Sequence, residues 1–382
     1  MILAFINESS SGDRRTPLIP ADVKRLVELG VTVRVEAGIG VACHYPDIVY
    51  VEAGAVVAAD RASLHQDADA IFRINDPDAT DLAFLTKGQL HVSLLDPYRN
   101  AEQVDALAAT GATGVSLEMI PRSTRAQKMD VLSSQASLAG YQAVIEAATS
   151  LDMILPMMMT PAGTIKPARF FIVGAGVAGL QVIATAKRLG ARVEAYDTRA
   201  VVEEQVQSLG AKFVKIDVGE TGQTKDGYAK PLTPEQVQSQ QQQMAKFCAQ
   251  ADAVITTAQL FGRPAPRIIT EEMIAGMKPG SVVVDLAAST GGNAAGTVAG
   301  EIAIVNGVKL IGYTDLPGRV TTHASQMFSA NLYHFISEFW DKETNTLNLD
   351  DQDEIISSCV VCRDGAISNQ RILDARQKET AQ

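Results

Sequence analysis

No cluster of basic residues occurs in this 382-residue chain, and 44 Asp and Glu outnumber 33 Lys and Arg, for a formal net charge of −11. Nucleic acid and anionic membrane surfaces are held by basic fields, so both are poor partners. Cysteine is scarce: Cys43, Cys248, Cys359 and Cys362 are too few and too scattered to frame a disulfide-stapled fold, and a reducing cytoplasm is expected. Cys359 and Cys362 form a CxxC, yet the surrounding IISSCVVCRDG reads as a strand. A strand sends two such thiols to opposite faces and argues against a redox or metal pair. No apolar stretch reaches the ~18 residues of a membrane span. The opening MILAFINES is a short apolar strand without a basic n-region or cleavage site, so no signal peptide is expected. Internal repeats and Pro-rich linkers are missing as well. The length suffices for two ordinary domains with ample core.

What the chain does have is RFFIVGAGVAGLQVIATAKRLG, residues 169–190. A buried strand leads into Gly174, Gly176 and Gly179 and then into an apolar, Ala-rich helix. Dinucleotide binding needs that order. Gly174 allows a tight turn, Gly176 lets bare backbone approach a pyrophosphate, and Gly179 lets helix and strand pack closely, while the helix N-terminus offers amides and partial positive charge. The next strand, ARVEAY, ends at Asp197, where an acid would accept hydrogen bonds from the adenosine ribose. It would also repel a 2′-phosphate, so NAD(H) is expected over NADP(H); Arg199, two residues on, weakens that preference a little.

Before this motif, ILAFI, VTVRVEAG, ADAIFRI, QLHVSLL and TGVSLEMI alternate with helical patterns such as ADVKRLVELG and AEQVDALAATG, as a parallel sheet with crossover helices requires. Between the first strand and first helix, SSSGDRRTPLIP places Arg14 and Arg15 where loops face a crevice, as ligand contacts or as solvated loop residues. From Val131 the spacing predicts a long helix, ended by PMMMTPAGTIKPAR, whose Met157, Met158 and Met159 are expected to fill gaps between lobes. VGETGQTKDGYAKPLTPEQ is expected to be a mobile flap, and the Gln-rich run behind it a solvated helical face. Strand tips at Thr256 to Gln259 and Asp285 to Asn293 should reach the same crevice. A helix from His323 returns the chain, and the last forty residues are too short to stand alone. The expected fold is α/β: two Rossmann-like lobes with parallel sheets, joined by two long helices with a cleft between them. Residues 1–130 with 326–382 would form one lobe and 131–325 the nucleotide lobe.

GAGVAGLQVIATAKRLGA, PRSTRAQKMDVLSSQASLAGY, DGYAK, PGSVVVDLAASTGGN and GYTDLPGR together resemble the NAD(H)-binding component of proton-translocating NAD(P) transhydrogenase over nearly the whole chain. The resemblance implies hydride exchange between NAD(H) held here and NADP(H) on a separate subunit, coupled to proton movement through a membrane-embedded subunit. It further implies a homodimer, and a cytoplasmic chain held peripherally at the inner membrane by those partners. The sequence stops where some relatives continue into a membrane domain, which resembles the split-subunit arrangement. By the same resemblance, Arg122, Ser123, Thr124, Arg125, Gln127, Lys128, Met129, Asp130 and Ser133 lie over the nicotinamide. Arg122, Gln127, Asp130 and Ser133 would position the ring; a plainer reading has Asp130 capping the helix and Arg122 solvated. Ala175, Gly176 and Val177 match the pyrophosphate turn, Asp197, Thr198 and Arg199 the adenosine end, and Gly227, Tyr228 and Gln240 the flap and its base. Ala258 and Gln259 complete the set, although relatives commonly carry TTAL where Gln259 makes TTAQ. Asn7 stands where a Lys or Arg usually precedes Glu8.

Alanine dehydrogenase shares the fold this resemblance implies, but its chemistry needs a proton acceptor and a cation for the substrate carboxylate. At the matching places stand Leu94, Asn75 and Ser289, with only Arg15 retained. Hydride transfer between two nicotinamide rings moves no proton at the reacting carbon, so positioning suffices and no acid or base is expected. An alanine-dehydrogenase-like enzyme and a catalytically silent NAD-binding regulatory module are the alternatives.

Overall fold

The structure, a computed structural model, describes residues 1–217, 219 and 232–380, the side chains of residues 379 and 380 excepted. It divides into two compact units, residues 1–135 with 320–382, and residues 136–319. The chain leaves the first unit within the Val131–Ser150 helix and re-enters it at the start of the Thr321–Phe339 helix.

In the first unit, β1 (Ile2–Phe5), β2 (Thr32–Glu36), β3 (Val56–Ala58), β4 (Ala70–Phe72), β5 (Leu90–Ser93) and β6 (Thr113–Ser116) are all parallel, in the order β6-β5-β4-β1-β2-β3. The central strands are continuous apolar runs because both sheet faces are covered: Leu3, Ala4, Phe5, Ala70, Ile71 and Phe72 are wholly buried. Two strands from the end of the chain, Val360–Arg363 and Ala366–Ile367, extend this sheet antiparallel beside β6.

The second unit opens with a hairpin, β7 (Met158–Thr160) and β8 (Gly163–Ile165). Its main sheet holds β9 (Arg169–Val173), β10 (Arg192–Tyr196), β11 (Lys212–Phe213), β12 (Ala253–Thr256), β13 (Val282–Asp285), β14 (Ile302–Val305) and β15 (Val308–Ile311). The order is β11-β10-β9-β12-β13-β15-β14, parallel except for β14. Alternation along the strands explains the two cores: Phe170 and Ile172 enter one with Val182 and Ile183 of the Val177–Arg188 helix, while Phe171 and Val173 enter the other with Met244 and Cys248.

Three regions differ from the sequence expectation. Glu354–Cys359 is helical, not strand: Asp353 accepts the Ile355 amide as N-cap, and Ile355, Ile356 and Cys359 form the buried face. Cys359 therefore ends a helix while Cys362 lies on a strand; all four cysteines are buried, and burial pushes the Cys359 thiol up to about 12. Met157, Met158 and Met159, expected to fill gaps between lobes, are exposed, on and before the hairpin. The Gln-rich helix, Pro234–Gln250, is not simply solvated, because Gln240 is buried and donates to the Tyr196 hydroxyl at 3.1 Å.

Candidate functional site

In the second unit the strand order reverses at β9, with β10 and β11 on one side and β12 and β13 on the other. Open α/β sheets hold ligands at the carboxyl ends of the strands flanking such a reversal. The glycine turn lies there. Gly174 has φ 100° and donates its amide to the Tyr196 carbonyl at 2.8 Å, folding the turn onto the end of β10. A Cβ at Gly174 would overlap the Thr257 hydroxyl, and one at Gly179 would overlap the Gly174 carbonyl oxygen. Gly176 differs: among the described residues a Cβ there would meet nothing nearer than Arg199 Nη2 at 3.9 Å. Two of the glycines are thus required by the fold, and the third leaves an open backbone at the first turn of the Val177–Arg188 helix. Among the described residues no side chain caps that helix; its N-cap is Gly176 itself. This cradle fits a pyrophosphate, which would bring negative charge to uncapped amides.

The difference predicts a separation of effects. Gly179→Ala is expected to lower stability by about 1–3 kcal/mol, as overpacking does. Gly176→Val should leave the thermal midpoint within a few degrees yet abolish measurable nucleotide binding by calorimetry. Equal loss of stability in both variants would contradict the assignment of Gly176 to the ligand side.

Asp197 follows β10 and is engaged from two directions. Its carboxylate accepts the Ala175 amide at 2.7 Å, and it accepts from the Arg199 amide, Nε and Nη2 at 2.8 to 2.9 Å. The acid expected at the ribose therefore also braces the glycine turn, and Arg199 is folded onto it as an ion pair. Thr198 lies between them, half-buried. Thr257, after β12, bonds the Val173 and Gly174 carbonyls at 3.3 Å each. Ala258 is clasped by Asn293, which accepts its amide at 3.1 Å and donates to its carbonyl at 2.9 Å; Gln259 donates to the Leu286 carbonyl at 2.9 Å. Asp285, 1 % exposed, holds the next loop by accepting from the Ala287 and Ala294 amides and the Thr297 hydroxyl. Asn293 is wholly buried. Sequence reasoning does not find its clasp on Ala258; the asparagine at the tip of a predicted strand is the only signal for it. Gln240 acts from beneath β10 through Tyr196, and Gly227 and Tyr228 lie outside the described residues.

The loop of residues 121–130 belongs to the first unit. Ala126 and Met129 are buried anchors, whereas Arg122, Thr124, Arg125, Gln127 and Lys128 are exposed or partly so and Ser123 is half-buried. Asp130 accepts the Ser133 amide at 2.9 Å and its hydroxyl at 2.6 Å, so it does cap the following helix, and Ser133 is its partner.

The carboxyl ends of the first unit's strands are occupied by their own side chains. Arg73, after β4, bonds Glu8 and Asp81; Arg61 bonds Asp81, Glu36 and the Asn7 carbonyl. Glu8 also accepts the Ile74 amide at 2.6 Å and the Asn75 amide at 3.1 Å. Burial pushes the Glu8 carboxyl up against the opposing pull of Arg73. Asn75 donates to Asp13 at 3.0 Å, and Asp13 grips Arg15 through Nε and Nη2, leaving Arg15 Nη1 to donate to Gln135 at 3.0 Å. Burial opposes ionisation of Asp13, yet the Arg15 and Asn75 hydrogen bonds hold its carboxyl below the usual range. Arg14 is exposed.

Comparison with known proteins agrees with this geometry. Residues 4–139 match the family described as "Alanine dehydrogenase/PNT, N-terminal domain", and residues 143–370 match "Alanine dehydrogenase/PNT, C-terminal domain". An NAD(P) transhydrogenase subunit alpha chain of Rhodospirillum rubrum is 44% identical over 374 residues, covering 96% of this chain and 97% of that one. The chain belongs to the NAD(P) transhydrogenase alpha-subunit family. A crystal structure of transhydrogenase from Sinorhizobium meliloti superposes with a TM-score of 0.84 at 41% identity, covering 97% of this chain and 100% of that one. An L-alanine dehydrogenase structure superposes with a TM-score of 0.81 at 22% identity and shares the fold. As a member of the transhydrogenase alpha-subunit family, the chain carries the Rossmann-like α/β architecture of a pyridine-nucleotide-binding oxidoreductase. No helix among the described residues is long and apolar enough to cross a membrane.

Proposed function

We propose that this chain is the NAD(H)-binding subunit of a proton-translocating transhydrogenase, exchanging hydride between NAD(H) held here and NADP(H) held by a partner subunit. The observation that carries the reading is the glycine turn at the strand reversal, with Gly176 open and Asp197 bracing the Ala175 amide. NAD(H), when bound, supplies or accepts the hydride. The residues Gly174, Ala175, Gly176, Val177 and Gly179 form the pyrophosphate cradle, and Asp197, Thr198 and Arg199 form the adenosine end. Ala258 and Gln259 contribute to the same site, with Gln240 supporting it through Tyr196; Gly227 and Tyr228, outside the described residues, belong to it by the family resemblance alone. Arg122, Gln127, Asp130 and Ser133 orient the reactive ring, with Ser123, Thr124, Lys128 and Met129 completing their loop.

Orientation is all this subunit contributes to the reaction, since ring-to-ring hydride transfer needs closeness and alignment rather than a proton donor. The first unit supports that view. Asn75 and Arg15, which stand where alanine dehydrogenase chemistry would need charged groups, are committed to Glu8, Asp13 and Gln135. The membrane component couples exchange to protons, and the chain sits at the cytoplasmic face of the inner membrane through its partners. It works as a homodimer, for which the exposed methionine hairpin supplies an apolar face.

The purified chain should bind NADH and show hydride exchange only when an NADP(H)-binding partner is added. NADH production from alanine and NAD without any partner would overturn this function. Gln127→Asn is expected to reduce exchange by about tenfold or more while changing the NADH Kd less than about twofold. A parallel fall in both would make Gln127 a simple binding residue.

A further inference from the structure

The 121–130 loop is fastened from outside at two points that its own sequence does not reveal. Asn331, on the Thr321–Phe339 helix, donates through Nδ2 to the Lys128 carbonyl at 2.7 Å and accepts the Ser134 hydroxyl at 2.7 Å through Oδ1. At the other end Arg125 donates through Nε to Glu338 at 2.6 Å and through Nη1 to Asp353 at 2.6 Å. Glu338 belongs to the Thr321–Phe339 helix and Asp353 is the N-cap of the Glu354–Cys359 helix. The guanidinium also stands over the Phe339 ring, 5.5 Å from its centre. One arginine therefore joins the loop to two separate helices.

Two carboxylates at this distance direct the guanidinium inward, toward its own unit. Between the two fastenings lie buried Ala126 and exposed Gln127, the latter two positions after Arg125 and one before Lys128. We infer that Arg125, which the resemblance sets over the nicotinamide, is instead a positioning residue: a latch that sets where Gln127 is held, with no contact to the nucleotide. The functional consequence rests on the transhydrogenase reading of this loop; the latch itself does not. The Arg125 side chain is 47% accessible, and exposed ion pairs add little to global stability. Releasing the latch should loosen the loop without unfolding the unit. High salt should act in the same direction, because exposed charges are screened.

Three substitutions separate the latch from its surroundings. Arg125→Ala removes it; Asp353→Asn removes one anchor while keeping an N-cap for Ile355; Arg125→Lys keeps the charge but loses the guanidinium fork. The experiment measures amide hydrogen exchange of residues 122–130, the fluorescence of Trp340, NADH Kd, and kcat and KM for exchange with an NADP(H)-binding partner. Trp340 is the chain's one tryptophan and lines the same cavity as Arg125 and Asp353, so it reports on the latch without reference to activity.

Arg125→Ala is expected to speed amide exchange of the loop, shift Trp340 emission and lower kcat by about tenfold with Kd nearly unchanged. Asp353→Asn should give a smaller effect of the same kind, adding nothing to Arg125→Ala in the double variant, and Arg125→Lys should restore part of kcat. A tenfold weaker Kd with loop protection intact would make Arg125 a nucleotide ligand and overturn the inference. So would unaltered loop protection and unaltered kcat. Failure of the wild-type chain to exchange hydride with any partner would sink the functional reading alone. Amide exchange would then decide the latch, loosening supporting it and full protection refuting it.

Discussion

Asp81→Ala is expected to lower the unfolding free energy of the first unit by about 3–5 kcal/mol, the cost typical of breaking a buried ion pair from one side. The Asp81 side chain is 1% accessible and receives hydrogen bonds from both Arg73 and Arg61. Its removal leaves Arg73 to Glu8 alone and Arg61 to Glu36 and the Asn7 carbonyl, with guanidinium hydrogens facing an empty methyl. Urea unfolding followed at Trp340, which lies in that unit, measures the change. Burial opposes ionisation of Asp81, but the two arginines hold its carboxyl below the usual carboxylate range. A depressed folded pKa contributes stability that is complete above the unfolded value and is lost as pH falls through the folded one. The gap between wild type and variant should therefore be flat from about pH 5 to 8 and close below about pH 4. A gap under about 1 kcal/mol at neutral pH would show that the arginines find other partners.

Glu118→Gln is expected to stabilise the protein at about pH 8 and to matter little at about pH 4.5. Glu118 follows β6, is 8% exposed, and accepts the Leu95 amide at 2.7 Å together with the Asp96 amide. Burial pushes its carboxyl up to about 7, against those hydrogen bonds. A raised carboxyl means that between about pH 4.5 and 7 the folded chain binds more protons than the unfolded one, so stability falls as pH rises through that window. At about 1.4 kcal/mol per pH unit the loss is on the order of 3 kcal/mol. Gln keeps a carbonyl oxygen for the two amides and removes the titration. Equal wild-type and variant stabilities at about pH 5 and pH 8, by urea unfolding, would place the Glu118 titration near its ordinary value.

Much of this architecture is legible in the residues because its signals are local. The run FFIVGAG declares a buried strand and a turn through spacing alone, and the structure places Gly174 and Gly179 where a Cβ would clash. The alternation of strands and helices before residue 120 likewise needs only period and punctuation. What the sequence hides depends on contacts distant along the chain. Asn331 and Lys128 lie 203 positions apart, and Arg125 and Glu338 213. No spacing rule links them. The Glu354–Cys359 helix reads as strand because a short β-branched run outweighs, by propensity, one aspartate at its start. Gln240 looks like one more solvated glutamine, and only its partner Tyr196, 44 residues earlier, reveals the buried hydrogen bond.

The five charged groups at the strand ends of the first unit, Glu8, Glu36, Arg61, Arg73 and Asp81, carry a thermal consequence. Hydration of ions becomes less favourable on heating, so keeping these side chains dry grows cheaper just as apolar contacts stop gaining strength. Warmed toward its melting point, the first unit should loosen last where it is most polar, at the strand tips tied by guanidinium and carboxylate, and earliest in elements secured by aliphatic contact alone.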